Sequence, residues 1–372
     1  MQRIGYVSAT DELGGADASL YELIVALDRE RFEPHVVVPH EGPFAARYRA
    51  LGVAVHVLPL QKLKRTLDPR WHLSWLLRAP LRVLRLGRLF RQLRPNVVHV
   101  NTSVEVLAGF AAWRHCRRSG ARLVWHVREL ELRPRWVERL VFGTVRRLAH
   151  TVIAISTPVA TRIGDERVRV IPNGIDIARF RATAAATTQR PPTIGWVGRL
   201  APGKGLDRVF DLFAAVRAHL PEARLVVMAA PVDGHAAHAD GLRRRGAAFG
   251  DALQWLAPGP ATECAYAAMD VLVHLPDLAE GLGRTVLEAQ AAGVPAVTWR
   301  RGGLVDTLRD GVTGRFAPPG DLAAASRLAL GLLTDPPRRA AMARAAREFA
   351  AECFSRERCA RAVEGTYLAE EP

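Results

Sequence analysis

Short apolar runs alternate with helical patterns along most of the chain, and this alternation predicts the fold. The runs are apolar at consecutive positions, which is typical of strands buried on both faces of a parallel sheet. The predicted strands are 4–8, 35–39, 53–58, 97–101, 122–126, 152–156, 168–171, 193–197, 224–228, 253–256, 271–275 and 295–299. The predicted helices are 18–29, 43–51, 104–117, 135–149, 206–220, 261–268, 284–292 and 322–333, and 336–367 is nearly all helical. The pattern therefore predicts an α/β fold of parallel sheets covered by helices.

The alternation is interrupted once, and the interruption divides the chain into two predicted domains. Residues 177–192 include an Ala-Thr-Ala-Ala-Ala-Thr-Thr run and a Pro-Pro pair, a composition typical of a linker. We expect one doubly wound, Rossmann-like domain at 1–176 and a second at 193–354, with the carboxyl ends of the two sheets facing each other across a cleft. A length of 372 residues fits two such domains.

The net charge of +15 implies an anionic partner, and much of the excess lies in one segment. Residues 61–95 carry ten basic side chains against Asp68 alone, with leucine and tryptophan interleaved. This composition predicts a basic amphipathic surface that lies on anionic lipid. Two other interpretations stand beside it: an ordinary surface helix with snorkelling arginines, or part of a chain rich in arginine throughout. No DNA-binding or RNA-binding signature accompanies the charge, so no nucleic-acid partner is expected.

Cysteine usage and hydropathy predict the compartment. The four cysteines show no metal-ligand spacing, which suits a reducing cytosol. No apolar run reaches ~18 residues, and the chain enters a predicted strand soon after Met1 without a signal-peptide pattern. We therefore expect a cytoplasmic protein, attached peripherally to the inner face of the cell membrane if 61–95 contacts lipid.

A glycine-containing turn between a predicted strand and a predicted helix carries the strongest candidate chemistry. Gly281 and Gly283 allow the backbone to approach a ligand closely, and the first N–H groups of the following helix lack partners of their own. A phosphate could bind there, near Arg284 and Thr285. The carboxylate of Glu288, one turn further on, would then accept hydrogen bonds from a ribose. Glu280 would reach the sugar side of the phosphates. The alternative is an ordinary turn before an amphipathic helix with solvated glutamates.

The predicted second domain opens with another glycine-containing loop between strand and helix. Gly198 to Lys204 fits the phosphate-loop pattern G-x-x-x-x-G-K, but Gly205 stands where that loop needs Ser or Thr to hold magnesium. The metal-free interpretation is that Arg199 and Lys204 stabilise the negative charge of a nucleoside diphosphate leaving group. The plainest alternative is a glycine-rich turn with two exposed bases.

Three features of the first half are weaker signals. Gly14-Gly15 lies between the first strand and helix, where backbone N–H groups would face the cleft, and it is not the G-x-G-x-x-G of a dinucleotide dehydrogenase. His126 ends a predicted strand, where it points into the cleft or serves as a hydrogen-bonded structural histidine. Asn173-Gly174 predicts a tight turn at a hinge.

Taken together, these segments resemble the retaining glycosyltransferases of the GT-B fold with an E-x7-E motif, family 4 (glycosyl transferases group 1). The resemblance runs nearly end to end and depends on the ordered set rather than on any one member. Its members are Gly14-Gly15, 171–176, Gly198-Arg199-Leu200, Lys204-Gly205, Glu280-Gly281, Leu287-Glu288-Ala289, 293–295, Gly302-Gly303, Asp310-Gly311, Gly314 and 318–321. The last helix of the family crosses back to the first domain, which implies the same for residues 355–372.

The resemblance implies a role for each matching residue. Those implied to bind the donor diphosphate are Arg199, Lys204 and the backbone of Gly15, Leu282, Gly283, Arg284 and Thr285. Glu288 would bind the ribose. Glu280, Gly281 and His126 would contact the transferred sugar. The implied catalytic residues are Glu280, His126, Arg199 and Lys204.

The implied reaction is hexosyl transfer from a nucleoside-diphosphate sugar to a glycan, glycolipid or small-molecule acceptor, in polysaccharide or other glycoconjugate synthesis. It would retain the anomeric configuration and need no metal or other cofactor. Ala229-Ala230-Pro231 and Trp255-Leu256-Ala257 depart from the pattern near the expected base pocket, so the nucleobase stays open. Two rival hypotheses are a phosphate-loop-like nucleotide hydrolase using Gly198–Lys204 and a catalytically silent, membrane-associated scaffold of the same fold.

Overall fold

A computed structural model describes residues 1–12, 14–60, 63, 68–182, 190–232, 234–257, 259 and 262–368. The chain divides into two compact units. The first comprises Met1–Gly174 together with Arg356–Pro372, and the second comprises Ile175–Ser355. The boundaries fall two residues before and one residue after the predicted ends at 176 and 354.

The first unit is a seven-stranded, all-parallel sheet with strand order β3-β2-β1-β4-β5-β6-β7. Its strands are β1 Gln2–Val7, β2 Phe32–Val38, β3 Ala54–Val57, β4 Val97–Val100, β5 Arg122–Val127, β6 Thr151–Ala154 and β7 Val168–Val170. Its helices are α1 Gly15–Val25, α2 Pro43–Ala50, α3 Pro69–Leu93, α4 Val106–Ser119, α5 Arg135–Leu148, α6 Thr157–Ile163 and, at the chain's end, α14 Arg356–Leu368. All seven predicted strands are present, with ends shifted by up to three residues.

The terminal helix α14 belongs to the first unit because its apolar face completes that unit's core. Ala360, Val363 and Tyr367 are buried against residues of the central strands. Two polar contacts fix its position: the Asp28 backbone N–H donates to Glu364 at 2.8 Å, and Arg356 pairs with Glu22 at 3.1 Å. An Asp28–Glu364 contact across 336 residues is outside the reach of sequence periodicity.

The second unit is a six-stranded, all-parallel sheet with strand order β10-β9-β8-β11-β12-β13. Its strands are β8 Thr193–Arg199, β9 Arg224–Ala230, β10 Leu253–Leu256, β11 Val271–His274, β12 Ala296–Trp299 and β13 Gly314–Ala317. Its helices are α7 Ile177–Ala182, α8 Leu206–Arg217, α9 Ala236–Ala247, α10 Glu263–Ala267, α11 Arg284–Ala292, α12 Leu322–Leu333 and α13 Pro336–Phe354. The sequence pattern missed β13, a four-residue strand of mixed polarity whose ends only are buried.

The predicted linker is partly helical. Its first six residues form α7, which packs against α11 of the second unit, while residues 183–189 lie outside the described part of the chain. Most of the predicted basic segment 61–95 is also a helix, α3, while residues 61–62 and 64–67 lie outside the described part of the chain. Within the described residues, no helix is both long and apolar enough to cross a bilayer.

Candidate active site

The candidate residues of the second unit gather where its strand order reverses. The neighbouring parallel strands β8 and β11 lead in opposite directions across the sheet, and such a switch point opens a crevice at the carboxyl ends of the strands. Arg199 ends β8 and Lys204 lies in the loop that follows it. His274 ends β11, and Glu280 lies in the loop between β11 and α11. The fold therefore brings to one edge residues that lie some 70 positions apart in the chain.

Lys204, Glu280 and His274 form a connected polar cluster. The Lys204 ammonium donates to Glu280 Oε1 at 2.7 Å, and His274 Nε2 lies 3.0 Å from Glu280 Oε2. Burial alone would raise the pKa of Glu280, but the interactions with His274 and Lys204 outweigh it and hold the pKa of this carboxyl well below its ordinary value. An ionised carboxylate only accepts, so His274 donates from Nε2. His274 Nδ1 is buried without a partner among the described residues.

This ion pair changes how the two predicted roles relate to each other. The sequence pattern assigns Lys204 to a diphosphate and Glu280 to a sugar, as separate contacts. In the structure each is the other's partner, with side chains 32% and 15% exposed. Both belong to the second unit. A ligand that binds Lys204 must therefore share it with Glu280 or displace one of its hydrogen bonds.

Gly205 explains why the phosphate-loop pattern is incomplete here. Its φ is +80°, a left-handed conformation that favours glycine. A Cβ at this position would lie 2.0 Å from the carbonyl oxygen of Leu275, just after β11. The serine or threonine of a magnesium-binding phosphate loop therefore has no room. The same close approach fastens the Lys204 loop to the end of β11, and a hydrogen bond of 2.9 Å from the Asp277 N–H to the Gly203 carbonyl adds to it.

The tip of α11 is shaped by three glycines. Gly283 caps the helix at φ +97°, and a Cβ there would lie 2.4 Å from the Leu304 side chain. A Cβ on Gly303 would lie 1.9 Å from the Gly281 carbonyl, so the Gly302–Asp306 turn packs directly on this loop. The Gly303 N–H donates to the Glu280 carbonyl at 2.8 Å. Gly303 therefore supports the backbone that carries Glu280.

The backbone donors that the sequence predicts are available at this tip. The N–H groups of Leu282, Gly283 and Thr285 have no hydrogen-bond partner among the described residues. Arg199, the last residue of β8, is exposed and forms no ion pair within the described part of the protein. Unpaired N–H groups at a helix start and a free guanidinium are both suited to an anion.

Glu288 is more enclosed than a solvated ribose-binding carboxylate would be. It is 7% exposed and accepts from Arg284 Nε at 2.7 Å and from the Tyr266 hydroxyl at 2.8 Å. Arg284, predicted to bind phosphate through its backbone, thus uses its side chain to orient Glu288. A carboxylate offers about four acceptor sites, so two held by protein donors leave others for ribose hydroxyls.

His126, in the first unit, is a buried strand residue rather than an open strand end. It is the penultimate residue of β5 and is 1% exposed. Burial first, then Arg128 and His99, hold its pKa well below the ordinary value, so the ring stays neutral. Its Nδ1 lies 3.3 Å from His99 Nε2, and its Nε2 is buried without a partner among the described residues. The ring therefore makes the contact of a structural histidine, and its role toward a sugar stays a prediction.

A chain of buried polar groups lies behind His126. The Tyr367 hydroxyl of α14 lies 2.7 Å from His99 Nδ1 and 3.2 Å from the Tyr6 hydroxyl. Burial and the Arg128 charge lower the pKa of His99 to about 3, so this ring is also neutral. Each neutral imidazole carries one proton, so the proton placement between Tyr367 and His99 determines which nitrogen of His126 is protonated.

The remaining predicted features of the first unit have structural explanations. Gly14 caps α1, and Gly15 is exposed with open space where a Cβ would lie. Gly174 has no left-handed φ; it is needed because a Cβ would lie 2.5 Å from Arg356 Cα at the start of α14. Asn173, predicted as a turn residue, accepts a hydrogen bond from the buried Arg128.

Several residues of these clusters escaped the sequence analysis. His274 and His99 fall inside the predicted apolar strands 271–275 and 97–101, and the sequence pattern gives neither a role. Tyr266 and Tyr367 carry no motif. The one available signal was a polar residue inside an otherwise apolar strand, which holds for both His99 and His274. Among the described residues, no group of three or more His, Cys, Asp or Glu side chains is arranged to hold a metal ion.

Two family models match the chain, one in each half. The family described as Glycosyltransferase Family 4 matches residues 13–179, and the family described as Glycosyl transferases group 1 matches residues 181–349. The second match contains the Lys204, Glu280 and Glu288 clusters, and the first contains Gly15 and His126.

Two curated relatives illustrate the range of similarity. The GDP-mannose-dependent alpha-mannosyltransferase of Mycobacterium tuberculosis is 27% identical over 336 residues, which cover 83% of this chain and 82% of that protein. The D-inositol 3-phosphate glycosyltransferase of Salinispora arenicola is 34% identical over 205 residues, which cover 50% of this chain and 46% of that protein. The second match thus spans less than half of the relative's length.

Solved structures share the fold over the whole chain. A crystal structure of Anabaena HepE in complex with UDP and glucose has a TM-score of 0.82 at 21% identity and covers 100% of both chains. Sucrose-phosphate synthase from Thermosynechococcus elongatus has a TM-score of 0.78 at 19% identity, with 99% of this chain and 98% of that chain covered. At these identities the likeness concerns the fold.

Proposed function

Because this chain belongs to the group 1, family 4 type of glycosyltransferases with the GT-B fold, we propose that it transfers a sugar from a nucleoside-diphosphate sugar to an acceptor hydroxyl. The observation that carries the proposal is the Lys204–Glu280 ion pair beside the open N–H groups of the α11 tip. A cation, an anion and free backbone donors at one switch point match the diphosphate and sugar halves of such a donor.

The proposed diphosphate contacts of the second unit are Arg199, Lys204 and the backbone at Leu282, Gly283 and Thr285. Gly15 stays a predicted diphosphate contact. Negative charge grows on the leaving phosphate as the bond to the sugar breaks. Fixed cations and N–H dipoles stabilise that charge more in the transition state than in the ground state, which is what accelerates the reaction. Two cations in place of Mg²⁺ make the proposed enzyme independent of metal.

Glu280 and His126 are the proposed contacts of the transferred sugar. Glu280 stays ionised because Lys204 and His274 hold its pKa down, so it accepts from sugar hydroxyls and stabilises positive charge at the anomeric carbon. His126 offers its unoccupied Nε2. Glu288, oriented by Arg284 and Tyr266, accepts from the ribose.

The proposed reaction retains the anomeric configuration. The bond between the anomeric carbon and the phosphate oxygen breaks, and the acceptor oxygen forms its bond on the same face. The acceptor proton passes to the leaving phosphate oxygen. This route needs no general base from the protein, which suits a second unit whose Glu280 is held ionised by a cation rather than poised near neutral pH.

The proposed acceptor of the hexosyl group is a glycan, a glycolipid or a small molecule, bound mainly by the first unit. The described part of the basic segment, helix α3, exposes leucines between its arginines. A helix of this composition can lie on an anionic membrane, which would bring the protein to a lipid-linked acceptor. Flotation with anionic vesicles at low salt tests this contact, and absence of binding would end it.

A thermal-shift panel tests the proposed donor. UDP and GDP, named for relatives of this chain, are compared with other nucleoside diphosphates and with nucleotide sugars, each with and without EDTA. The proposal predicts that at least one nucleoside diphosphate raises the melting temperature equally in EDTA. NMR of the sugar product then reports the anomeric configuration. Stabilisation only by nucleoside triphosphates with Mg²⁺ would favour the rival hydrolase.

A further inference from the structure

The amino-terminal half of α3 has an apolar face that the first unit leaves uncovered. Residues 70–85 include no buried side chain, whereas the second half buries Leu86, Phe90 and Leu93. The exposed leucines of the first half are Leu73, Leu76, Leu77, Leu81 and Leu84, at 46–72% exposure. A large exposed apolar surface of this kind marks an interaction site.

A groove lies between α3 and α4 beside this face. Its volume is about 970 Å³, within the range of ligand sites. One end is apolar, and its walls are Leu76, Ala79, Pro80, Val83, Leu84, Leu107 and Phe110. The other end contains four arginines, Arg91, Arg94, Arg114 and Arg118. The lining thus changes along the groove from apolar side chains to arginines.

The four arginines have no counter-charge in the protein. All are exposed, none forms an ion pair with a carboxylate within the described residues, and no acidic side chain lines the groove. Guanidinium groups gathered at one end repel one another unless an anion joins them. Arginine binds phosphate bidentately, which makes a phosphate the best match for this end.

The dimensions fit one lipid chain. From Leu76 to Leu84 the helix rises about 12 Å, and from Leu76 to Arg91 about 22 Å. One leaflet of the hydrocarbon core is roughly 15 Å thick, half of about 30 Å. An extended acyl chain in the apolar end therefore places its headgroup near the arginines.

We propose that the α3–α4 groove binds one acyl chain of an anionic phospholipid, with the lipid phosphate held by Arg91, Arg94, Arg114 and Arg118. The inference rests on the proposed membrane contact of α3. It adds a specific binding site for one lipid molecule to the general attraction between a basic helix and an anionic surface. The exposed leucines of α3 adjoin the groove and extend its apolar wall, as expected where it opens to a bilayer rather than to a soluble ligand.

Paired variants, compared by vesicle binding, test whether the groove arginines bind the lipid phosphate. The double variant Arg114→Gln with Arg118→Gln removes two groove arginines. Its control, Arg85→Gln with Arg88→Gln, removes two exposed arginines of α3 that do not line the groove. Affinity for phosphatidylglycerol vesicles is expected to fall about tenfold more in the groove pair, because bidentate contacts are lost as well as long-range attraction. Equal losses in the two pairs would overturn the site.

Tryptophan substitutions test whether an acyl chain enters the apolar end of the groove. Ala79→Trp fills the apolar end of the groove, whereas Leu77→Trp adds an aromatic ring at a 72% exposed position outside it. The proposal predicts weaker phosphatidylglycerol binding for Ala79→Trp and unchanged or stronger binding for Leu77→Trp. Equal thermal unfolding of the two variants confirms that both fold. Unchanged phosphatidylglycerol binding by Ala79→Trp would overturn the proposal that an acyl chain occupies the groove.

Two further probes identify the source of the lipid. Dodecyl phosphate below its critical micelle concentration should compete with phosphatidylglycerol vesicles, and inorganic phosphate alone should not. Binding of dodecyl phosphate without any binding to phospholipid vesicles would overturn the membrane phospholipid in favour of a free lipid phosphate. None of the proposed diphosphate contacts lines the groove, so retention of nucleoside diphosphate binding in every groove variant separates failure of this inference from failure of the proposed function.

Discussion

Gly205 and Gly203 provide a test of how the Lys204 loop is fixed. Both glycines are left-handed, with φ of +80° and +82°, so an alanine at either costs about 1–2 kcal/mol in backbone strain. A Cβ on Gly205 would also lie 2.0 Å from the Leu275 carbonyl oxygen, whereas a Cβ on Gly203 would meet only the Leu278 side chain, at 3.1 Å. Leu278 is 53% exposed and can move aside.

The difference between the two variants isolates the backbone clash. Gly203→Ala should lower the free energy of unfolding by the strain cost alone. Gly205→Ala should lose a further 1–3 kcal/mol, about the cost of overpacking a filled site, because β11 or the loop must shift. Urea denaturation followed by tryptophan fluorescence measures both values. Moving the end of β11 also separates Lys204 from Glu280, so nucleoside diphosphate affinity should fall more in Gly205→Ala.

Two results would refute this reasoning. Equal destabilisation by the two alanines would mean that the loop adapts freely and that the contact with Leu275 is unimportant. Gly205→Ser completes the phosphate-loop pattern, and we expect it to be as unstable as Gly205→Ala. A stable Gly205→Ser protein with new magnesium-dependent nucleotide binding would support the rival hydrolase instead.

The remaining predictions concern the buried polar groups. Glu288→Ala should abolish turnover with the fold intact, although Tyr266, 1% exposed, loses its acceptor at a cost of about 1–3 kcal/mol; near-normal activity measured with nucleotide sugar would contradict the ribose role. Tyr367→Phe removes the hydroxyl bonded to His99, so ¹⁵N NMR should show a changed tautomer at His126 and turnover should fall severalfold, with nucleoside diphosphate binding unchanged; an unaltered His126 spectrum would refute the relay. The pKa of Glu280 is lowered in the folded state, so its contribution to stability is full above its unfolded pKa of about 4.3 and is lost as pH falls through the folded value. The gap in unfolding free energy between wild type and Glu280→Gln should therefore shrink from pH 5 toward pH 2, and a constant gap would contradict the ionised state.

The strand and loop positions follow largely from sequence, because buried parallel strands leave continuous apolar runs. Twelve strands were predicted from this signal, and β13 was missed because it is only four residues long and Arg315 interrupts its apolar character. Helix α7 was predicted as a linker because alanine and threonine dominate the segment, and tertiary packing against α11 overrides that composition.

The side-chain partners were much less predictable. The E-x7-E spacing indicates where Glu280 and Glu288 lie, but hydrogen bonds from Lys204 and Tyr266 connect residues 76 and 22 positions away. His274 and His99 were hidden inside apolar strands, and their neighbours come from other elements. Distances of this kind depend on topology, which sequence periodicity does not encode.

Calorimetric titration of the proposed donor's nucleoside diphosphate in EDTA tests the central claim most directly. The account predicts binding by the wild type without metal. Lys204→Met should bind about 10- to 150-fold more weakly, from the loss of one charge-assisted hydrogen bond. Arg208→Gln, which removes a nearby cation paired with Asp277, should stay within about threefold of wild type. Binding that requires Mg²⁺, or equal affinities of wild type and Lys204→Met, would contradict metal-independent binding of the diphosphate by Lys204.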